Sequence, residues 1–271
     1  MRPIGIFDSG IGGLTVARAI ANRLPNVPMI YFGDTAHLPY GDKSPELIRH
    51  YASRISLHLK ERGCQAIVVA CNSASSNALG AIQDAIGKNV AVIDVVQPVV
   101  EDVSRRFRDS RVGVIGTRAT IESEVYQRRL SKSGCDVIAM ATPLLASAIE
   151  EGFHEGLVSE VLLQAYLGQG TFDAVDALIL GCTHYPLVAD QIKALLPASV
   201  EIINSAELVA DAVAQVIDLG LNHTDTVDPT AAIPLRQFLV SDLTVSFAQS
   251  AQRFFGEKVQ LEESGLWEFS N

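Results

Sequence analysis

The sequence has few cysteines and few aromatic residues, and it has no long apolar run. Four of the 271 residues are Cys, and Phe, Trp and Tyr together make up 6%. No stretch reaches the roughly 18 consecutive apolar residues that a membrane-spanning helix needs. The N-terminal segment reaches Asp8 before the apolar core of a signal peptide could form. We therefore expect a cytoplasmic protein that does not bind membranes.

Basic residues are also scarce relative to acidic ones. The chain has 21 Lys and Arg against 31 Asp and Glu, a formal net charge of −10. A negative field of this kind repels nucleic acid, so no nucleic-acid partner is expected. The hydrophobic fraction of 48% excludes a disordered chain, and the length predicts about two domains.

The spacing of the cysteines argues against disulfide bonds. No C-x-x-C pair occurs. Cys64 and Cys71 flank an apolar strand whose rise of ~3.3 Å per residue separates them by roughly 20 Å, whereas a disulfide needs Cα atoms within about 7 Å. Together with Cys135 and Cys182 they are expected to be free thiols in a reducing compartment.

Short runs rich in Val and Ile alternate with longer amphipathic stretches along the chain. The short runs are typical of buried parallel strands and lie at residues 4–7, 29–32, 66–70, 90–95, 112–115, 137–140, 178–180 and 202–203. The amphipathic stretches predict helices at residues 14–24, 45–62, 74–86, 99–107, 121–130, 157–167, 187–196 and 208–219. This alternation predicts an α/β fold with doubly wound, mainly parallel sheets.

Two sequence motifs occur twice. The run 4–7 resembles the run 112–115, and the run 66–73 resembles the run 177–184. The two pairs have nearly the same spacing along the chain. In the second pair a cysteine follows each strand, Cys71 in one copy and Cys182 in the other. The repeat predicts two similar halves.

These halves predict two domains. The second comprises residues 98–204. The first comprises residues 1–97 together with 205–271, because the last part of the chain is too short for a core of its own. Asn204 and Ser205 are both expected to be able to cap the helix that follows. Beyond that helix we expect a polar loop over 222–230, a strand over 238–240 and a helix over 245–255, packed back on the first half.

Unusual residues follow the predicted strands, at the ends where open parallel sheets bind ligands. In the first half they are the segments 8–13, 33–41 and 71–75, and in the second half the segments 116–120 and 181–186. The glycine-rich turn of the first segment does not fit a dinucleotide, because Thr15 stands at the position of the third glycine and Asp8 would repel a phosphate group. Glycines that merely allow a tight turn are the alternative interpretation.

A cysteine that follows a buried strand is usually a small core residue. Here two cysteines occupy matching positions, each ahead of backbone N–H groups that open a helix, a setting that favours a thiolate. His184 is two residues from Cys182, and Asp8 ends the strand adjacent to that of Cys71. We interpret Cys71, Cys182, Asp8 and His184 as catalytic. Zinc is the competing interpretation, but no chelating spacing supports it, and we expect no metal.

The same residues resemble the cofactor-independent two-cysteine amino-acid racemases, and among them the glutamate racemases. The resemblance covers essentially the whole chain. The matching segments are residues 5–14, 34–41, 70–75, 113–117, 150–152 and 181–186. Two features depart from the family pattern: Ser73 replaces the usual Thr, and residues 145–149 replace a more apolar, proline-containing stretch.

The resemblance implies two pseudo-symmetric, flavodoxin-like domains with the active site in the cleft between them. It implies an isomerase that interconverts L- and D-glutamate with no cofactor, one cysteine acting as thiolate base and the other as thiol acid. Its product would be D-glutamate for peptidoglycan, and so for the cell wall and cell shape. Glutamate is then the small-molecule partner. The oligomeric state is left open, with a homodimer among the alternatives.

The resemblance also implies roles for individual residues. Asp8 assists Cys71, and His184 assists Cys182. Besides Asp8 and His184, the family positions that contact the substrate are Ser9, Pro39, Tyr40, Gly41, Asn72, Ser73, Thr117, Thr120, Glu151 and Thr183. Of these, Asn72, Ser73 and Thr183 are expected to hold the α-carboxylate.

Other functions remain open at this point. A racemase for another amino acid, such as aspartate, would share the two-cysteine plan. Two α/β lobes around a cleft also describe an amino-acid-binding module that closes on its ligand without chemistry, although such a module gives no reason for two matched cysteines. A cysteine hydrolase would use one thiol with His184 and leave the other thiol unexplained.

Overall fold

Parallel β-sheets organise the part of the chain that the structure, a computed structural model, describes: residues 1–220 and 235–267. The strands are β1 (Ile4–Asp8), β2 (Met29–Gly33), β3 (Ala66–Val69), β4 (Ala91–Asp94), β5 (Arg111–Gly116), β6 (Asp136–Ala141), β7 (Ala177–Gly181), β8 (Glu201–Ile203), β9 (Arg236–Val240) and β10 (Leu261–Glu263). The polar loop predicted at 222–230 lies outside the described residues.

The strands form two sheets with the same internal order. The first sheet runs β10-β9-β2-β1-β3-β4 and the second runs β6-β5-β7-β8, and every pairing in both is parallel. The order β2-β1-β3-β4 in the first sheet matches β6-β5-β7-β8 in the second. The repeat predicted from the sequence therefore corresponds to a repeat of topology, in which β1 matches β5 and β3 matches β7.

The helices separate the strands along the chain. They are α1 (Leu14–Arg23), α2 (Pro45–Glu61), α3 (Asn72–Asn77), α4 (Leu79–Ile86), α5 (Gln97–Arg106), α6 (Arg118–Glu122), α7 (Val125–Leu130), α8 (Leu145–Glu150), α9 (Leu157–Leu167), α10 (Ala189–Ala194), α11 (Ser205–Gly220) and α12 (Val245–Phe255). The predicted α/β class, with parallel sheets and alternating helices, is confirmed.

Helices cover both faces of each sheet, which is why its central strands are mostly apolar. In β1, Ile4 and Ile6 pack in the same cluster as α1 and α11, whereas Phe7 packs on the opposite face with α2 and α4. In the second sheet, Val112 and Val114 pack with α5 and α7. The fold is therefore doubly wound.

Some helix predictions were wrong in detail. The stretch 74–86 is two helices, α3 and α4, and the stretch 121–130 is also two, α6 and α7, with Glu124 in the left-handed region at φ 55°. The stretch 187–196 is a 3₁₀ turn followed by α10. Helix α8 and strand β10 were not predicted, because both are too short to show a clear apolar period.

The last described part of the chain extends the first sheet. Strand β9 pairs with β2, and β10 pairs with β9. Helix α12 packs against α1. Asn204 accepts a hydrogen bond from the backbone N–H of Ala206 at 3.0 Å, which confirms the predicted cap of α11. None of the described helices is both long and apolar enough to cross a membrane.

Candidate active site between the two sheets

The loops that follow β1 and β3 face the loops that follow β5 and β7. Hydrogen bonds join the two sides. Thr15 at the start of α1 donates to the carbonyl oxygen of Thr183 at 3.1 Å. The hydroxyl oxygens of Ser73 and Thr117 are 2.9 Å apart. The carboxyl ends of both sheets, where parallel sheets bind ligands, therefore meet at one seam.

Cys71 belongs to the first side of this seam. It precedes α3 as its N-cap residue and is 5% exposed. Its Sγ lies 3.7 Å from the Oγ of Ser9. Burial raises the pKa of the Cys71 thiol well above its ordinary value, and the negative charge of Asp8 raises it further. Cys71 is therefore held as a neutral thiol.

Cys182 faces a different neighbour on the second side. It is 6% exposed, and its Sγ lies 3.6 Å from Nδ1 of His184. On the other side of the ring, Nε2 lies 3.5 Å from Oε2 of Glu150. Burial by itself lowers the pKa of His184, but the two neighbours outweigh it and raise that pKa well above its ordinary value. An imidazolium is thus stabilised between a sulfur and a carboxylate.

The glycine-rich turn after β1 gives these side chains room. A Cβ atom on Gly12 would lie 2.3 Å from Cε1 of His184, and one on Gly13 would lie 2.6 Å from Cβ of Asp8. Neither glycine has a positive φ. A tight turn alone therefore does not account for these glycines, because the close approach of His184 and Asp8 also requires them.

Asp8 ends β1 and is almost fully buried. Its Oδ2 accepts a hydrogen bond from the backbone N–H of Gly13 at 2.8 Å, so the N-terminal end of α1 already binds a carboxylate. Burial raises the pKa of Asp8, and the positive charge of His184 and the bond from Gly13 only partly counter this. A carboxyl group with a raised pKa is suited to exchange a proton with a nearby thiol.

Most of the other predicted site residues line the same seam. Thr117 caps α6 and its hydroxyl lies 3.0 Å from that of the buried Thr120. A Cβ on Gly41 would lie 2.8 Å from Cβ of Thr117, so the loop after β2 also reaches the second side. Tyr40 is buried, and its hydroxyl donates to Asp34 at 2.5 Å. Pro39 is exposed.

Glu150, not Glu151, contacts the site. Glu151 is exposed, whereas Glu150 is 9% exposed and faces His184. The serine hydroxyl of Ser250 in α12 donates to the backbone oxygen of Glu150 at 3.2 Å. Helical periodicity could have identified Glu150. The buried Ile149 marks the inner face of the helix. Around the helix axis, Glu150 is rotated from Ile149 by about 100° and Glu151 by about 200°, so Glu151 points away from the inner face.

Asp34, which follows β2, is a second residue that the prediction missed. It is fully buried. Besides the hydroxyl of Tyr40, its carboxylate accepts hydrogen bonds from Ser241 at 2.8 Å and from the indole N–H of Trp267 at 2.9 Å. His37 lies 2.9 Å from the same group. Asp34 therefore ties the loop that carries Tyr40 to the last described residues of the chain.

The described residues contain no group of three or more His, Cys, Asp or Glu side chains that could hold a metal ion. The four cysteines are all free and buried. Cys64 and Cys135 lie in the hydrophobic clusters and not in the seam. The seam thus holds two thiols on opposite sides, each with an ionisable neighbour.

Comparisons with known proteins cover most of the chain. The family model for Asp/Glu/Hydantoin racemase matches residues 13–213. The chain belongs to this racemase family. The glutamate racemase of Geobacter metallireducens is 38% identical over 260 residues, which cover 95% of this chain and 94% of that protein. That of Aquifex pyrophilus is 45% identical over 207 residues, or 76% of this chain and 80% of that protein.

A solved structure supports the same assignment. The glutamate racemase from Francisella tularensis, in complex with D-glutamate, matches with a TM-score of 0.89 at 34% identity over 99% of both chains. The family resemblance that the paired cysteine motifs indicated is confirmed, as is the two-domain α/β fold of this racemase family.

The contact between Glu150 and His184 can be tested by titration. In Glu150→Gln, the titration midpoint of His184 should move to lower pH, because one of the two groups that stabilise the imidazolium is lost. Nuclear magnetic resonance of histidine-labelled protein would follow the six histidines, with His184→Asn to identify the resonance. The exposed Glu151→Gln is the matched control. A shifted midpoint in the control, or none in Glu150→Gln, would contradict the contact.

Proposed function

We propose that this protein is a glutamate racemase that interconverts L- and D-glutamate by a two-base mechanism without a cofactor. Membership of the racemase family and the named relatives support the activity. The observation that carries the mechanism is the pair of buried thiols, Cys71 and Cys182, at equivalent strand ends of two similar sheets. The enzyme is an isomerase, and D-glutamate for peptidoglycan is its expected product.

Racemisation requires that a proton leave one face of the α-carbon and that another arrive at the opposite face. Thiols from the two sides of the seam meet this requirement directly. In the state that the electrostatics favour, Cys71 is a neutral thiol, and His184 places a positive charge beside the sulfur of Cys182. Cys182 then takes the α-proton of L-glutamate as a thiolate while Cys71 donates its proton to the other face, which yields D-glutamate.

The α-carboxylate needs donors while negative charge develops at the α-carbon. We assign this role to Asn72, Ser73 and Thr183. All three are buried, and they follow the two cysteines directly in the sequence. The other substrate contacts proposed are Asp8, Ser9, Pro39, Tyr40, Gly41, Thr117, Thr120 and His184. Glu150 replaces Glu151 in this set, because it is the glutamate that faces His184.

Three further proposals concern the whole molecule. The domains are residues 1–97 with 205–271, and residues 98–204. The addition of β9 and β10 to the first sheet supports this division.

The enzyme works in the cytoplasm, where peptidoglycan precursors are made. It forms a homodimer, which the exposed apolar side chains of Leu157 and Val161 on α9 support.

The activity is tested with L-glutamate and no added cofactor. After dialysis against a chelator and removal of pyridoxal phosphate, the optical rotation of the solution should decay to zero. L-Aspartate should react far more slowly, which separates the two racemase specificities. A binding module would bind glutamate and leave the rotation unchanged, and a dialysed enzyme that needs zinc to recover would contradict the cofactor-free mechanism.

Each thiol should be indispensable. Cys71→Ser and Cys182→Ser should each lower kcat by roughly 10²-fold or more, because Ser is close in size but far less acidic than Cys. Cys135→Ser is the matched control, since its Sγ bonds the carbonyl oxygen of Phe107 at 3.2 Å and a hydroxyl can do the same. If either variant keeps a tenth of the rate with an unchanged unfolding transition, that cysteine is structural.

Isotope effects should separate the roles of Asp8 and His184. Enantiomers have equal free energy, so any variant has equal kcat/KM in both directions. The family pattern assigns the proton of D-glutamate to the Cys71 side and that of L-glutamate to the Cys182 side. In Asp8→Asn the α-deuterium effect on kcat/KM should therefore rise from D-glutamate and fall from L-glutamate, and in His184→Asn the reverse, because each change makes one transfer more rate-limiting.

Two results would contradict these roles. Unchanged isotope effects in both variants, despite a loss of about 10-fold in kcat/KM (about 1.4 kcal/mol), would show that the two residues act on binding and not on proton transfer. A swapped pattern would show that the two thiols have the opposite assignments.

A further inference from the structure

A tyrosine from the second side of the seam contacts the residue next to Cys71. Tyr126 lies on α7, and its hydroxyl donates to Oδ1 of Asn72, the first residue of α3, at 2.9 Å. Tyr126 is 1% exposed and Asn72 is 3% exposed. The two residues are 54 positions apart in the sequence. The contact therefore depends on how the two sides of the seam meet.

This bond fixes the orientation of the Asn72 amide. With Oδ1 held by the phenol, the amino group Nδ2 points away from Tyr126, and it is buried without a hydrogen-bond partner among the described residues. A buried donor of this kind is rare and calls for an acceptor. The amide belongs to the residue beside Cys71, and the phenol is close enough to Cys182 to feel its charge. The hydrogen bond thus joins the residue next to Cys71 to a tyrosine on the side of Cys182.

The phenol is a dependable donor. Burial raises the pKa of Tyr126 far above its ordinary value, and the charge of Asp94 raises it further, against the opposing effect of Arg129. The hydroxyl is therefore protonated at neutral pH and can act as a donor. Because the hydroxyl donates to the amide oxygen, the NH₂ group is the part of the Asn72 amide that has no partner among the described residues.

We propose that Tyr126 is a positioning residue that aims the NH₂ group of Asn72 at a substrate carboxylate. This inference rests on the proposed function. Tyr126 comes from residues 98–204 and Asn72 from residues 1–97, so the amide is aligned only when the two sides meet as they do here. Alignment of a carboxylate donor is thereby coupled to the closed arrangement of the seam.

The substitution Tyr126→Phe removes the hydroxyl and keeps the ring. Loss of one neutral hydrogen bond predicts that kcat/KM falls by about 3- to 10-fold, equally from L- and D-glutamate, mainly through a higher KM. The dissociation constant of D-glutamate, measured by calorimetry, should rise by a similar factor. Tyr166→Phe is the control, because its hydroxyl bonds the carbonyl oxygen of Pro143 and should leave both values unchanged.

A double-mutant cycle with Asn72→Ala distinguishes positioning from general structural support. In the Asn72→Ala background, Tyr126→Phe should have no further effect on the dissociation constant of D-glutamate, because there is no amide left to orient. The thermal unfolding midpoint is measured for each variant.

Three results would overturn the proposal: unchanged constants in Tyr126→Phe, the same fold-change in the Asn72→Ala background as in the native one, or a Tyr126→Phe protein that no longer unfolds cooperatively. Failure of the proposed function is a separate result, since wild-type protein would then not racemise glutamate at all. The calorimetric cycle on D-glutamate still decides the role of Tyr126 in that case.

Discussion

His184 has a sulfur at one ring nitrogen and a carboxylate at the other, in a place that solvent hardly reaches. Burying a cation costs desolvation free energy unless groups that stabilise the charge lie next to it. The groups around the imidazole ring of His184 must therefore be fixed close to it. Four segments converge to do so. Cys182 follows β7 and Glu150 ends α8. The rings of Phe254 in α12 and of His184 pack edge to face, with their centroids 5.3 Å apart. Gly12 leaves the space that the ring of His184 fills. The seam between the sheets is built around this one side chain.

The two sheets repeat a topology but not a charge pattern. Asp8 ends β1, whereas Gly116 ends β5, the equivalent strand. Asn72 follows Cys71, and Thr183 and His184 follow Cys182. The fold therefore supplies two equivalent positions for sulfur, and the side chains around them make one sulfur neutral and place the other beside a cation. A racemase needs that difference, because one thiol must hold a proton while the other accepts one.

The parts that the sequence predicted are those that depend on local composition. A strand covered on both faces is apolar over most of its length, so β1, β3 and β7 could be located from runs of apolar residues, chiefly Val and Ile. The paired cysteines could be matched because the repeat keeps them at the same strand end. What the sequence did not predict depends on distant contacts. The bond from Trp267 to Asp34 joins residues 233 apart, and the choice of Glu150 over Glu151 is made by the short helix α8, whose inner face is defined by packing.

The two edges of the seam differ in what holds them. Near His184, side chains from α1, α11 and α12 share one apolar cluster with Leu145, Ile149 and Tyr185 of the second side. The opposite edge is polar. There, Asn77 donates to the carbonyl oxygen of Ala119 at 2.9 Å, and Arg118 and Asp42 form an exposed ion pair at 3.7 Å.

Opening the polar edge costs less than opening the apolar one. The net contribution to stability is about 0.5–1.5 kcal/mol for a hydrogen bond and about 0–1 kcal/mol for an exposed ion pair. Separating an apolar cluster exposes the apolar surface of all its side chains at once, so its free-energy cost is larger. A cavity of about 510 Å³ already lies at the polar edge, lined by Gly41, Asn77 and Arg118. Both thiols are nearly buried, so we expect the two sides to separate when substrate enters. Because the apolar cluster is the more costly contact to break, we expect the hydrogen-bonded edge to open and the apolar edge to stay joined.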